Sequence, residues 1–213
     1  MKLRKMEIVS LILAIASFGV AYWVYPQLPE RVASHWNAAG QVNGYMGRFW
    51  GAYLMPVVML GCWILFIVIP RVDPKRENID KFRKHFERFI LMFFLFLGYI
   101  YGLTVAWNLG RRFEFSIWLA PAFAVLFWMI GAMVARAEPN WSIGIRTPWT
   151  LSSVTVWQKT HVLGGKLFKA AAVISLAGIF FPRYAIWFVL APVLGTALFL
   201  VVYSYVEFRK ESR

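Results

Sequence analysis

Phe115-Ser-Ile-Trp-Leu-Ala-Pro-Ala-Phe-Ala-Val-Leu-Phe-Trp-Met-Ile-Gly-Ala-Met-Val-Ala135 carries no charged side chain. A helix rising about 1.5 Å per residue needs a run of this length to cross a hydrocarbon core about 30 Å thick. Five further apolar runs flank it, at residues 8–25, 51–69, 89–108, 167–181 and 184–206, and residues 167–181 form the shortest. The chain is 60% hydrophobic and only 15% charged, with a mean hydropathy of +0.59, against about 45–50% and about 25% in an ordinary soluble domain. The pattern predicts an all-α polytopic transmembrane helix bundle of six spans. Residues 1–70 read as an N-terminal helical pair with an outer loop and residues 71–213 as the remaining helical region, together forming one membrane bundle.

The formal net charge of +13 would suggest nucleic acid in a soluble protein, but the basic residues sort by side of the bundle. With the N-terminus inside, the inner segments hold Lys2, Arg4 and Lys5; Arg71, Lys75, Arg76, Lys81, Arg83, Lys84 and Arg88; Arg136, Arg146, Lys159, Lys166 and Lys169; and Arg209, Lys210 and Arg213. The outer segments hold only Arg31, Arg48, Arg111, Arg112 and Arg183. This asymmetry follows the positive-inside rule and predicts both termini in the cytoplasm, with membrane lipid rather than nucleic acid as the partner of the charges. Tyr22, Trp23, Tyr25, Trp50, Tyr53, Trp107, Trp118, Tyr184 and Trp187 fall near the expected outer ends, the level at which such rings prefer to sit. Lys2, Arg4 and Lys5 before an apolar run imitate a signal peptide, yet the bulky residues 21–26 do not suit a cleavage site, so the first run reads as an uncleaved helix. The single cysteine, Cys62, cannot form an intramolecular disulfide.

Two connections stand out. Residues 26–50 carry Pro26, Pro29, Gly40, Gly44 and Gly47 and read as a large outer loop in which Val42-Asn43-Gly44-Tyr45 is a turn signature. Residues 70–88 alternate charges and read as a solvated extension of the third helix. Pro56, Pro121 and Pro192 lie within spans and read as structural bends. Ala171, Ser175 and Gly178, and Ala191 with Gly195, are small enough for close helix contact.

Residues 140–165 form a polar and aromatic island between two oily spans, longer than a minimal connection requires. Ser152 or Ser153 suits a helix N-cap, and from there Val154, Trp157, His161, Gly164 and Phe168 recur at helical spacing on one face. This helix is expected to lie at the inner surface before it continues into the fifth span. Asn140, Gly144, Arg146, Pro148 and Trp149 precede it, and Arg146 suits either an interfacial anchor or a fork onto an anionic partner. His161 reads as a hydrogen-bonded interfacial residue or a titrating one. In the outer loop His35 and Asn37 are candidates for external recognition, a structural role for His35 being the alternative. The three histidines lie on opposite faces, so no metal site and no cofactor is expected.

The run Asn140-Trp-Ser-Ile-Gly-Ile-Arg-Thr-Pro-Trp-Thr-Leu, followed by Trp157, Thr160-His161 and Gly164, resembles the signature of the SdpI family of integral membrane proteins. Leu28-Pro29, His35-Trp36-Asn37, Gly40 and Asn43-Gly44-Tyr45 resemble the membrane-associated domain of unknown function that often precedes it. The resemblance implies a plasma-membrane immunity or receptor-like protein whose partner is a secreted peptide toxin; from the residues themselves, Asn140, Gly144, Arg146, Pro148, Trp149, Trp157, His161, His35 and Asn37 are the candidates for contact with a partner, a cytoplasmic regulator being a further candidate partner that the sequence does not identify. A transporter for a small solute or peptide is the alternative, although mid-membrane Asp, Glu, Lys or Arg, usual in ion-coupled carriers, is missing from the central parts of the runs. No His-Glu-x-x-His, Gly-x-Ser-x-Gly or paired aspartates mark an enzyme.

Overall fold

The computed structural model describes residues 3–211; Lys2 and Arg213, counted above among the inner charges, lie outside them. Among the described residues six helices are long and apolar enough to cross a membrane: α1 (Lys5–Val24), α2 (Arg48–Val72), α4 (Arg83–Asn108), α5 (Phe115–Val134), α7 (Val154–Leu176) and α8 (Ala185–Glu211). Among the described residues there are also two short helices, α3 (Arg76–Lys81) and α6 (Pro148–Ser152), a hairpin of β1 (Arg31–Trp36) and β2 (Val42–Gly47), and three single 3-10 turns. The chain is a multi-pass membrane protein. The helices run through Pro56, Pro121 and Pro192, and also through Pro70 at the end of α2. Tyr22, Trp23, Trp50, Trp118, Tyr184 and Trp187 are exposed on the surface, as interfacial rings should be.

The loop at residues 26–50 is more ordered than its turn residues suggest. β1 and β2 pair antiparallel, Arg31 opposite Gly47 and Ala33 opposite Tyr45, and the reversal falls at Asn37 to Gln41 rather than at Asn43-Gly44. Asn37 decides this. Its Oδ1 accepts the amides of Ala39 and Gln41, both at 3.0 Å, its own amide donates to the Gln41 carbonyl at 2.8 Å, and Gly40 supplies a φ of +76° that an L side chain rarely adopts. Gly44 lies within β2 opposite His35, where an added Cβ would come within 2.9 Å of the histidine Cβ. Asn108, at the end of α4, acts as a third strand: its side-chain amide accepts from the Ala33 amide at 2.7 Å and donates to the Ala33 carbonyl at 3.0 Å.

At the other end of α4, about 39 Å away by helical rise over its 26 residues, residues 70–88 do not simply prolong that helix. α2 runs to Val72, α3 forms separately, and the backbone breaks at Phe82 (φ −111°, ψ 16°) before α4 begins at Arg83. Phe82 and Ile79 are buried in the main apolar cluster with Phe86, Phe94, Met59 and Trp157. Burying these side chains is worth more than a continuous helix would gain, so α3 folds back as a plug at the base of the bundle.

α5 and α7 form the most extensive helix pair. Gly131 and Gly165 meet at their contact: an added Cβ on Gly165 would lie 2.8 Å from the Gly131 carbonyl oxygen, so this approach tolerates only glycine. Ala171, Ser175 and Gly178 are buried as expected, whereas Ala191 and Gly195 are exposed on α8, and a Cβ added to Gly195 would meet open space among the described residues. α7 is one continuous helix of 23 residues. Its polar first half continues without a break into the apolar second half, so the fifth span-length helix is longer than residues 167–181 alone. Gln158, Lys159, Thr160 and His161 lower the local hydropathy, but His161 and Lys159 find partners within the protein, and Thr160 is fully buried, its hydroxyl without a hydrogen-bond partner among the described residues. Lys166 and Lys169 fall inside this helix, Lys169 beside Gly131 near the last turn of α5, its ammonium 5.3 Å from the Trp128 ring centre.

Candidate functional site

Asn140 organises the island. Its side chain is 1% exposed and uses its full hydrogen-bonding capacity: Nδ2 donates to the carbonyls of Glu138 (2.8 Å) and Ile143 (2.9 Å), and Oδ1 accepts the amides of Ser142 (2.9 Å) and Ile143 (2.6 Å). The loop is thereby wound around one amide side chain, which satisfies backbone groups that no helix or sheet would satisfy.

Gly144 follows with a φ of +126°, and an added Cβ there would collide with the His161 ring. Only glycine lets the backbone approach that closely. The amide of Ile145 then donates to His161 Nε2 at 2.9 Å, while His161 Nδ1 lies 2.8 Å from the Trp157 carbonyl one turn back on α7. A carbonyl only accepts and an amide only donates, so these two bonds define the neutral tautomer with its proton on Nδ1. The imidazole also stacks on Trp157, the ring centres 3.9 Å apart, and Trp157 Nε1 donates to the Ala137 carbonyl at 2.7 Å. Trp157 is fully buried. His161 and Trp157 thus form a latch that holds both ends of the loop between α5 and α6, and of the two sequence readings of His161 the hydrogen-bonded one describes the geometry.

Beyond the latch, Thr147 caps α6 and Pro148 occupies its first turn, where a missing amide proton costs nothing. Thr147 and Thr150 exchange backbone and hydroxyl hydrogen bonds, and the Thr147 hydroxyl lies 3.0 Å from that of Ser204 on α8. Trp149 packs on Tyr205 with ring centres 5.1 Å apart. Of the two serines considered, Ser153 caps α7, accepting the Val156 amide at 3.2 Å, and its hydroxyl donates to Glu211. Arg146 is different. It is exposed, and among the described residues its side chain donates to the Trp141 carbonyl alone, so most of its guanidinium lies at the surface.

The sequence reading missed the contact that ties this island to the rest of the protein. Asp73, 4% exposed, sits among charges that read as a solvated face, yet its Oδ2 accepts from the Trp141 amide (3.0 Å) and the Ser142 hydroxyl while Oδ1 accepts the Lys75 amide (2.7 Å). Asn78 on α3 donates to the Pro139 carbonyl at 2.7 Å. Asp73 before Pro74 is the one available signal, an acidic residue placed to cap a turn. Close by, buried Glu7 pairs with Arg71 at 2.7 Å and accepts the Arg4 amide at 2.9 Å, joining α1 to α2. Glu207 on α8 bridges Lys159 (2.8 Å) and Lys210 (2.7 Å).

The structure therefore brings Asn140, Gly144, Arg146, Pro148, Trp149, Trp157 and His161 together at one end of the bundle and leaves His35 and Asn37 at the other. Asn37 is consumed by the hairpin turn, and the exposed His35 ring bonds across the strands to the Asn43 side chain. Among the described residues no three His, Cys, Asp or Glu converge as metal ligands, and Ser153 and His161 spend their polar atoms on other partners.

Fold and site together define a polytopic membrane protein in which a loop between α5 and α7 is folded onto the helix ends as a hydrogen-bonded polar cap. Residues 136–205, which contain most of that cap, match the SdpI/YfhL protein family, and residues 12–60, which contain the hairpin, match the domain of unknown function DUF1648. The resemblance to the SdpI family read from the sequence is thus confirmed. Over 207 residues, 97% of each chain, the protein is 24% identical to Immunity protein SdpI of Bacillus subtilis (strain 168). No solved structure matches the chain.

Proposed function

We propose that this protein resides in the plasma membrane and protects the cell that makes it against a secreted antimicrobial peptide. One observation carries the reading: similarity to Immunity protein SdpI extends over 97% of both chains, so it spans the hairpin and the polar cap alike. Both termini and the cap then face the cytoplasm, the side on which the basic residues concentrate, and the hairpin faces outward where a secreted peptide arrives. In this reading the hairpin end meets the peptide, and the cap at the opposite end holds the helix termini in one arrangement.

The experiment is expression in a cell sensitive to secreted peptide toxins, with membrane abundance measured in parallel. Survival in the presence of one member of a toxin panel is expected. Unchanged killing by every member, with the protein present in the membrane, would sink the proposal.

A further inference from the structure

Next to the Gly131–Gly165 contact, α5 and α7 leave between them a groove of about 340 Å³, lined by Pro121, Ala124, Val125, Trp128, Ala172 and Leu176 among others. Ala124 and Ala172 are too short to fill it, and every lining side chain is apolar apart from the Trp128 indole nitrogen. Val125, Trp128 and Leu176 are exposed, so the groove opens toward lipid. Its end nearest the cap carries charge. The Lys169 ammonium lies 5.3 Å from the Trp128 ring centre, within the reach of a cation–π contact, and Lys166 is exposed one turn nearer the cap. Lys166, Lys169, Val173 and Leu176 recur at three- and four-residue steps and share one face of α7, so the two lysines lead directly into the groove.

Neither lysine has an ion-pair partner among the described residues, although both stand at the edge of the apolar part of α7, where an ammonium normally meets a counter-charge. In the span-length helices Glu7 pairs with Arg71, Glu87 with Arg4 and Glu207 with Lys159 and Lys210, while Glu211 accepts the Ser153 hydroxyl. A second copy of the chain therefore brings no uncommitted carboxylate on these helices to this level. A phospholipid supplies phosphate and hydrocarbon in the required order. Lys169 to Leu176 on α7, and Trp128 back to Pro121 on the antiparallel α5, each rise about 10 Å, within the roughly 15 Å that one leaflet contributes to a hydrocarbon core about 30 Å thick. We propose that the seam of α5 and α7 binds one anionic phospholipid of the leaflet on the cap side, its phosphate at Lys166 and Lys169 and one acyl chain in the groove beyond Trp128. A zwitterionic lipid offers the same chain but adds a positive charge beside the two lysines, so the site selects for net negative headgroups.

The test is photolabelling of the full-length protein in phosphatidylcholine nanodiscs. The probes are phosphatidylglycerol and phosphatidylcholine, each with a diazirine on one acyl chain and added in trace amount, and labelled residues are mapped by mass spectrometry. The phosphatidylglycerol probe is expected to label residues 121–128 and 172–176 saturably, at least fivefold more than the phosphatidylcholine probe, and to be displaced by unlabelled phosphatidylglycerol. Lys166→Gln and Lys169→Gln should each lower this labelling about fivefold, as expected for one lysine facing an anionic headgroup, while background labelling of α2 and α8 stays in place. Lys169→Arg keeps the charge and should label as wild type does. Because Lys166 is exposed, Lys166→Gln keeps the test decisive if Lys169→Gln disturbs the fold and with it the background. Labelling spread evenly over the exposed helices, equal labelling by the two probes, or undiminished labelling in Lys166→Gln would overturn the proposal. Displacement by free glycerol phosphate at the concentration of the competing lipid would overturn it as well, since the site would then hold an anion that needs no acyl chain.

Discussion

His161 Nε2 and the main-chain amide of Ile145 meet at 2.9 Å, and through this bond a side chain on α7 replaces the backbone partner that the loop before α6 lacks. Removing it should expose how much the polar cap contributes. In His161→Ala the Ile145 amide loses its acceptor, the Trp157 carbonyl loses its donor, and a void opens beside the Trp157 ring. Together these should cost about 3 kcal/mol, seen as a lowered midpoint in thermal unfolding of the detergent-purified protein. Gly144→Ala should be nearly as damaging, about 2 kcal/mol or more, since its φ of +126° and the His161 ring both oppose a Cβ. A melting temperature unchanged in both variants would show that the latch is ornamental.

Asp73 should act through exchange rates rather than through gross stability. It receives two groups from the start of the island and one from its own turn, so Asp73→Ala frees the loop without emptying the core. Amide hydrogen exchange across residues 139–146 should accelerate by about tenfold or more, while peptides from α5 and α7 keep wild-type protection. Equal acceleration in those helices would mean that Asp73 supports the bundle as a whole.

Arg146→Ala should separate function from folding. The side chain is exposed and makes, among the described residues, a single hydrogen bond to a carbonyl, so its loss should change stability by less than about 1 kcal/mol. Reduced protection from killing at unchanged abundance is expected if the free guanidinium engages an anionic partner. Full protection would reduce Arg146 to an interfacial anchor.

The spans were legible because a hydrocarbon solvent imposes a long, charge-free period that residues 115–135 display openly. The fifth span was legible only in its second half. His161 and Lys159 are polar in composition but paired in the fold, and a hydropathy profile does not register a partner supplied by Ile145 or Glu207. The cluster around His161 was foreshadowed by helical spacing, since Trp157, His161 and Gly164 share a face. The hairpin was hidden for a different reason: its turn is selected by the side chain of Asn37, and its open edge is closed by Asn108, 75 residues away in sequence from Ala33. Asp73 was concealed by its neighbours, because Lys75, Arg76 and Glu77 are ordinary surface charges and nothing local distinguishes the one carboxylate that folds inward.

The orientation assigned to the bundle makes the hairpin and the polar cap accessible from opposite sides, and single cysteines can read this directly. Cys62 is half-buried within α2, so Cys62→Ala provides a background with no other thiol. Tyr45→Cys lies on the exposed face of β2 and Arg146→Cys on the exposed rim of the cap. An impermeant maleimide added to intact cells should label the first and spare the second, and permeabilisation should make both react. The prediction follows from the cost of moving the basic clusters across the bilayer, since Arg71, Arg83, Arg136 and Arg146 would all have to be translocated for the opposite topology to hold. Labelling of position 146 in intact cells would reverse the molecule. The hairpin would then face the cytoplasm, out of reach of a secreted peptide.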